Sequence, residues 1–200
     1  MNKTAAVLLV ACSGWASAQN VVSMDMEGQP LPYVKEGVTQ GCGLRILAAV
    51  PAAKGGYRMA DLSANVWANG AAMVKGTTYD ASPAAIQAGT RPKLAIVESV
   101  WIKAPGERAT APLSKVARGE DGFALLYATS VSSVIDVLFA QREGQALTVA
   151  IRRKGESNER IYSGPVKLEE RDRKELAECL SEILPPLEKS LDAGQPEKGR

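Results

Sequence analysis

DLSANVWANGAAMVKGTTY, residues 61–79, decides the fold class. Two runs that alternate apolar and polar side chains meet at Asn69-Gly70, a pair suited to a two-residue turn with positive φ at both positions. The stretch therefore reads as a β-hairpin. Upstream, Leu44, Ile46, Ala48 and Val50 of GCGLRILAAV (41–50) share one face of a strand that Pro51 ends. Downstream, Ser82-Pro83 before AAIQAG predicts a helix of one or two turns. Ser82 is its N-cap, Pro83 its first helical residue and Gly89 its stop.

Farther along, KLAIVESVWIK (93–103) predicts one strand. Leu94, Ile96, Val100 and Ile102 lie on one face, interrupted by Glu98, with Val97 and Trp101 on the other. Residues 104–122 carry turn formers without a sustained period and read as a long loop or two short irregular strands. An apolar run at 123–129 reads as a strand. Val131, Val134, Ile135, Leu138, Phe139 and Arg142 then follow at helical spacing, with Gly144 closing the helix.

LTVAIRR (147–153) and ERIYS (159–163), joined by KGESN, predict an antiparallel pair. Leu176, Ala177, Leu180, Ile183, Leu184 and Leu187 make an apolar stripe on a helix over about 169–184, which Pro185-Pro186 stops. Glu169, Glu170 and Asp172 crowd its first turn, where the macrodipole favours negative charge. The expectation is an α+β fold: an antiparallel β-rich sheet or sandwich of six to eight strands, with one helix near 131–142 and another near 169–184 packed on it. Residues 19–187 form one domain, and 188–200 a flexible polar tail.

The first residues bear on compartment. Lys3, the apolar run 5–11 and the small residues after it read as a bacterial-type export signal. Ala16-Ser17-Ala18 before Gln19 suits an ordinary signal peptidase and gives a signal peptide over 1–18. A cut before Cys12 would instead lipidate that thiol and tether the protein to the membrane. The first cut leaves a periplasmic or secreted protein. The apolar run is far shorter than the roughly 20 residues needed to span a bilayer, and no later segment approaches that length.

Without residues 1–18 the chain holds 23 basic and 22 acidic residues, a balance that argues against a polyanionic partner. Cys42 and Cys179 then remain, and in an oxidising compartment an even pair most often forms a disulfide. Two separate buried thiols, or a redox or intermolecular role, are the alternatives. A strand starting near Gly43 and lying under the last helix would bring Cys42 to Cys179.

The chain has no histidine, which removes Ser-His and Cys-His nucleophiles and nearly all zinc sites. Nucleotide-loop, hydrolase-elbow and Ser-x-x-Lys signatures are missing too, and no cofactor is implied. SMDMEG (23–28) has Ser23 and Val34 where a calcium loop needs acids, so no metal site is read there. Glu120-Asp121 and Glu98 are candidate acid–base carboxylates, more simply solvated turn formers. Tyr127 and Tyr162 are more simply core residues than catalytic acids. Between 152 and 174 eight basic residues, Arg152, Arg153, Lys154, Arg160, Lys167, Arg171, Arg173 and Lys174, face five acids. With so little aromatic interleaving this is no nucleic-acid footprint, and it reads as strand ends and a helix face, or else as a contact for anionic headgroups or an acidic protein.

GFALLYATSVSSVIDVLFAQREGQALTVAIRRKGESNERIYSG, residues 122–164, places an amphipathic helix before Gly-x-x-Leu-x-Val and a hairpin. In this it resembles the C-terminal part of exported β-sandwich proteins of the invasion-associated locus B type. The resemblance implies a periplasmic, non-enzymatic, β-rich domain and transfers no site residue. The functional expectation is a non-catalytic envelope protein that binds another envelope protein or a surface component, through an edge strand or an apolar patch around Trp67 or Trp101. A small-molecule or lipid carrier with an apolar cavity between sheet and helices is the alternative, followed by a carboxylate-based enzyme.

Overall fold

The computed structural model describes residues 21–193 apart from 53, 54 and 91. The expected signal peptide with Cys12, Ala18 and Gln19, and residues 194–200 of the expected tail, lie outside the described residues. Strands β1 (Val21–Ser23), β2 (Met26–Pro30), β3 (Tyr33–Lys35), β4 (Val38–Pro51), β5 (Tyr57–Trp67) and β6 (Ala72–Ala81) come first. Helix α1 (Pro83–Gln87) and strands β7 (Lys93–Ala95), β8 (Val97–Lys103), β9 (Ala117–Arg118) and β10 (Leu125–Ala128) follow. Helix α2 (Val131–Arg142), strands β11 (Leu147–Arg153), β12 (Arg160–Gly164) and β13 (Val166–Lys167), and helix α3 (Glu170–Ala193) complete the chain.

Among the described residues the strands form two sheets. One has the order β1-β12-β11-β8; the other, nine-stranded, runs β13-β2-β4-β5-β6-β10-β9, with β3 added on β4 and β7 on β6. Pairing is antiparallel except for β1 on β12 and β13 on β2. This is the expected β-rich α+β fold with more strands than the six to eight expected. The surplus is mostly two- and three-residue pieces such as β1, β3, β9 and β13, too short to leave a periodic signal.

Register explains the core. Cys42, Leu44, Ile46 and Ala48 of β4 pair with Val66, Ala64, Leu62 and Ala60 of β5, all at most 1% exposed on the inner face of the larger sheet. The small sheet covers that face over β6 and β10, while α2 and α3 cover it over β5 and β4. At Gly76 of β6 a Cβ would stand 2.7 Å from Val100 of β8, so the two sheets approach as closely as they do because nothing projects there. Among the polar ties that cross between them, two come from buried side chains. Arg153 of β11, only 7% exposed, donates from Nε and Nη2 to Thr78 Oγ1 at 3.0 and 2.8 Å. Its Nη1 donates to both Asp80 carboxylate oxygens of β6 at 2.9 Å. Burial works to raise the Asp80 carboxyl, but the Arg153 hydrogen bonds, with the Arg153 and Arg58 charges, hold it below its usual range. The second tie is Tyr127 of β10, whose hydroxyl donates to the Val100 carbonyl of β8 at 3.0 Å.

Three local expectations need correction. The hairpin turn is not a two-residue turn with two positive φ angles. Gly70 N–H donates to the Trp67 carbonyl and Trp67 N–H to the Ala71 carbonyl, and of the Asn69-Gly70 pair only Gly70 has positive φ, at 81°. The loop is a type I turn closed by a left-handed glycine. Asn69 stays on the negative side because its side chain accepts the Ala71 N–H at 3.1 Å. The strand expected over 93–103 is two: β7 pairs with β6, and β8 with β11 in the other sheet. Between them the register skips Glu98, so Val97 is buried at 0% instead of sharing the Trp101 face.

Helix α3 does not stop at Leu184. It runs through the exposed Pro185 and Pro186 to Ala193, so 188–193 of the expected tail are helical. Each proline removes one i→i−4 bond and disfavours helix in the residue before it. The helix continues because Leu187, one turn beyond Ile183, is 2% exposed in the core, a burial that contributes about 2 kcal/mol. Its last turn also reaches the hairpin, with Leu191 and Ser190 beside Gly70. Pro186→Ala is therefore expected to stabilise the protein by about 1–3 kcal/mol, seen as a higher denaturant midpoint; an unchanged midpoint would mean that the helix ends before it.

Candidate functional site

Among the described residues no second layer packs on one face of the larger sheet, and the alternation of β5 sends Asp61, Ser63, Asn65 and Trp67 to it. Cross-strand neighbours form rows: Gln29, Arg45, Ser63, Lys75 and Leu126 in one, and Leu47, Asp61 and Thr77 in the next. Asn65 and Met73 stand opposite each other in a third. These rows line a depression of about 400 Å3, with Tyr33 at one end.

The polar groups of this face are held by one another. Arg45 donates from Nε and Nη2 to the two Asp61 oxygens at 2.8 and 2.6 Å. That hydrogen bonding raises the guanidinium above its ordinary value. The Asn65 side chain lies flat on β4, donates to Ser63 Oγ at 3.2 Å, and accepts the Tyr33 hydroxyl at 2.9 Å. Burial pushes the Tyr33 phenol up. Glycines make this possible: a Cβ at Gly43 would collide with the Asn65 amide, and one at Gly41 would stand 2.7 Å from Cδ1 of Trp67. Trp67 therefore rests on bare backbone, its ring 5.4 Å from that of Tyr33.

The two expected tryptophans are not brought together. Trp67, half-buried, joins Tyr33 at the rim of the open face, where β3 and the start of β4 expose Val34 and Val38 by 60% and 57%. Trp101, also half-buried, lies on the outer face of the small sheet, opposite the buried Ala150. Its Nε1 donates to Glu159 Oε2 at 2.7 Å, and Ser99 donates to the other Glu159 oxygen. Exposed apolar side chains thus lie near Trp67, whereas Trp101 is engaged by Glu159.

The candidate carboxylates are engaged locally. Glu98, the residue skipped in the β8 register, faces Arg152 at 3.0 Å. Asp121 accepts the Phe123 N–H at 2.9 Å and so shapes the β9–β10 turn beside the exposed Glu120. Of the eight basic residues, six are ion-paired: Arg152, Arg153, Arg160, Lys167, Arg171 and Lys174. That leaves the exposed Lys154, and Arg173, which donates to the Leu168 carbonyl at 3.3 Å. Tyr162 is 1% exposed between the sheets, and among the described residues its hydroxyl has no hydrogen-bond partner. Where a lipid carrier would need a cavity, between the larger sheet and the helices, Leu44, Leu62, Leu138, Leu176 and Leu180 fill the space at 1% exposure or less. Among the described residues no group of three or more acids or cysteines is placed to hold a metal, and no helix is long and apolar enough to cross a membrane.

Compared with known proteins, the chain matches no family model, no curated protein and no solved structure. The open face is accordingly read from its own geometry. Sequence reasoning missed Tyr33, Arg45, Asn65 and Lys75. Their signal was present as the polar half of the β5 and β6 alternation and as Gly-x-Gly at 41–43.

Tyr127 is a structural tie, and its ionisation shows it. Burial first, and the Glu159 charge after it, push its phenol up to about 12 against a Thr110 hydrogen bond that lowers it. A folded value above the unfolded value of 10.0 means that the stability it contributes is complete below pH 10 and is lost as pH rises through about 12. Tyr127→Phe should cost about 1–2 kcal/mol at neutral pH. It should also flatten the alkaline decline of the unfolding free energy, measured by urea titration at several pH values.

Proposed function

We propose that the protein is exported and serves in the periplasm as a non-catalytic binding module that engages another envelope protein or a surface component. The export signal at the start of the chain supports that address, with a lipid anchor at Cys12 as its alternative, and so does a disulfide between the two cysteines that outlast the leader. The likeness of residues 122–164 to exported β-sandwich proteins of the invasion-associated locus B type points the same way.

The observation that carries the binding role is the outer face of the larger sheet. Monomeric domains normally cover or charge such a face, and here a hollow of about 400 Å3 is floored largely by mutually fixed polar side chains and rimmed by Tyr33, which packs against Trp67. A floor fixed before the ligand arrives loses little entropy on binding. Aromatic rims contribute disproportionately to recognition because they present large rigid area with few torsions to freeze.

Site-specific photo-crosslinking in intact cells tests the reading. A photoreactive residue at Met73 should give a discrete adduct that the same residue at Thr148, on the small sheet, does not give. Equal labelling at both positions, or none at Met73, would contradict it.

A further inference from the structure

Two rows of the small sheet stay buried until they reach its last strand. On the inner face Ile102, Val149 and Tyr162 are at most 1% exposed, and Val22 of β1, next in that row, is 39% exposed. On the outer face Ala150 and Ile161 are buried, and Val21 beside them is 55% exposed. We infer that β1 is where a second copy of the chain joins, the two β1 strands pairing antiparallel about a twofold axis at Val22 so that the small sheets of two protomers become one.

Three observations carry the assignment. The first is what guards the other edges. Exposed edge strands normally carry charges, above all lysine, that discourage pairing. Here β3 has Lys35, β7 has Lys93, β9 has Arg118 and β13 has Lys167. Strand β8 is closed by its own chain: Val97 N–H donates to the Phe123 carbonyl at 3.0 Å, and Thr110 N–H to that of Ile102 at 2.9 Å. The Val-Val-Ser of β1 has neither charge nor proline, and among the described residues no strand pairs with its outer side.

The second is where the backbone of β1 points. Met24 N–H donates to the Ser163 carbonyl at 3.0 Å. By the alternation of a strand, Val22 also turns its N–H and C=O to β12, whereas Val21 and Ser23 turn theirs outward. In an antiparallel pair centred on Val22, Val21 of each copy stands opposite Ser23 of the other, and these are its hydrogen-bonded positions. The two Val22 residues then meet at a non-hydrogen-bonded position, where side chains come closest.

Fit to an identical copy is the third. A twofold interface must be complementary to itself, and two valines with a serine bring no like charges together and bury no unpaired one. The arriving Val22 also falls beside a depression of about 330 Å3 whose walls include Val22, Val50 and Tyr162. A free peptide could make the same backbone bonds, but it must first lose its freedom, whereas β1 is already held extended on β12. The contact is small, so the dimer belongs among weak, concentration-dependent assemblies. It lies on the sheet opposite the proposed binding face and stands or falls apart from it.

Sedimentation equilibrium of the native protein and three variants tests this. The native protein should pass from monomer to dimer between about 1 μM and 1 mM, and Val22→Lys should weaken the association about tenfold or more without moving the thermal midpoint. Under mild oxidation Val22→Cys should form a covalent dimer, because residues paired there lie within disulfide reach, whereas Val21→Cys, opposite Ser23, should not. Should Val22→Lys lower the thermal midpoint, the contrast between the two cysteine variants decides in its place. A monomer throughout the range, association untouched by Val22→Lys, or cross-linking of Val21→Cys as readily as Val22→Cys overturns the inference.

Discussion

The bond between Cys42 and Cys179 is the constraint on which the rest of the molecule depends. It joins the inner face of β4 to the middle of α3, with Cα atoms 5.9 Å apart and a sequence separation of 137. On the chain-entropy account, closing so long a loop stabilises the native state by about 5 kcal/mol. That figure is comparable to the burial of two or three leucines, and it acts where Leu176, Leu180, Ile183 and Leu187 already dock the helix. With α3 fixed there, the inner face of the larger sheet is occupied along β2 and β4 as well as beneath the small sheet. Among the described residues the layer is complete on that side, and no second layer packs on the opposite one.

Around the clip, the two sheets are tied at points where a polar contact cannot easily be exchanged for solvent. Arg153 is buried and reaches Thr78 and Asp80, and Tyr127 reaches Val100. A buried arginine that lost Asp80 would be left uncompensated, so this tie contributes to specifying how the sheets sit as much as to net stability. The consequence for the outer face is rigidity. Asn65, Arg45 and Asp61 are set on strands whose inner sides are locked, so the floor of the hollow is shaped by the scaffold instead of by its own loops.

Much of this was legible in the amino-acid order. The alternation at 41–50 and 61–79, the helical spacing at 131–142 and 176–187, and the capping signals at Ser82, Gly89 and Gly144 all report local periodicity or backbone preference, which sequence carries directly. The cysteine pair was legible as one of several pairings because burial of a helix stripe next to Cys179 implied a strand beneath it. What escaped was non-local. That the run at 93–103 leaves one sheet for the other, that α3 continues through Pro185 and Pro186, and that the tie of Arg153 crosses the sandwich all depend on what lies opposite. The candidate face escaped for the same reason: Asp61, Ser63, Asn65 and Lys75 read as ordinary solvent-facing residues until Asn65 is seen to lie on Gly43 and to accept the Tyr33 hydroxyl.

Amide hydrogen exchange on the native protein and on the Cys42→Ser/Cys179→Ser double variant tests the clip most directly. The account predicts that amides of 173–187 exchange as slowly as those of β4 and β5 in the native protein, and that the variant speeds α3 by tenfold or more while β5 and β6 change far less, a local opening of the clipped helix. Rapid exchange of α3 in the native protein, or equal rates in the two chains, would contradict it.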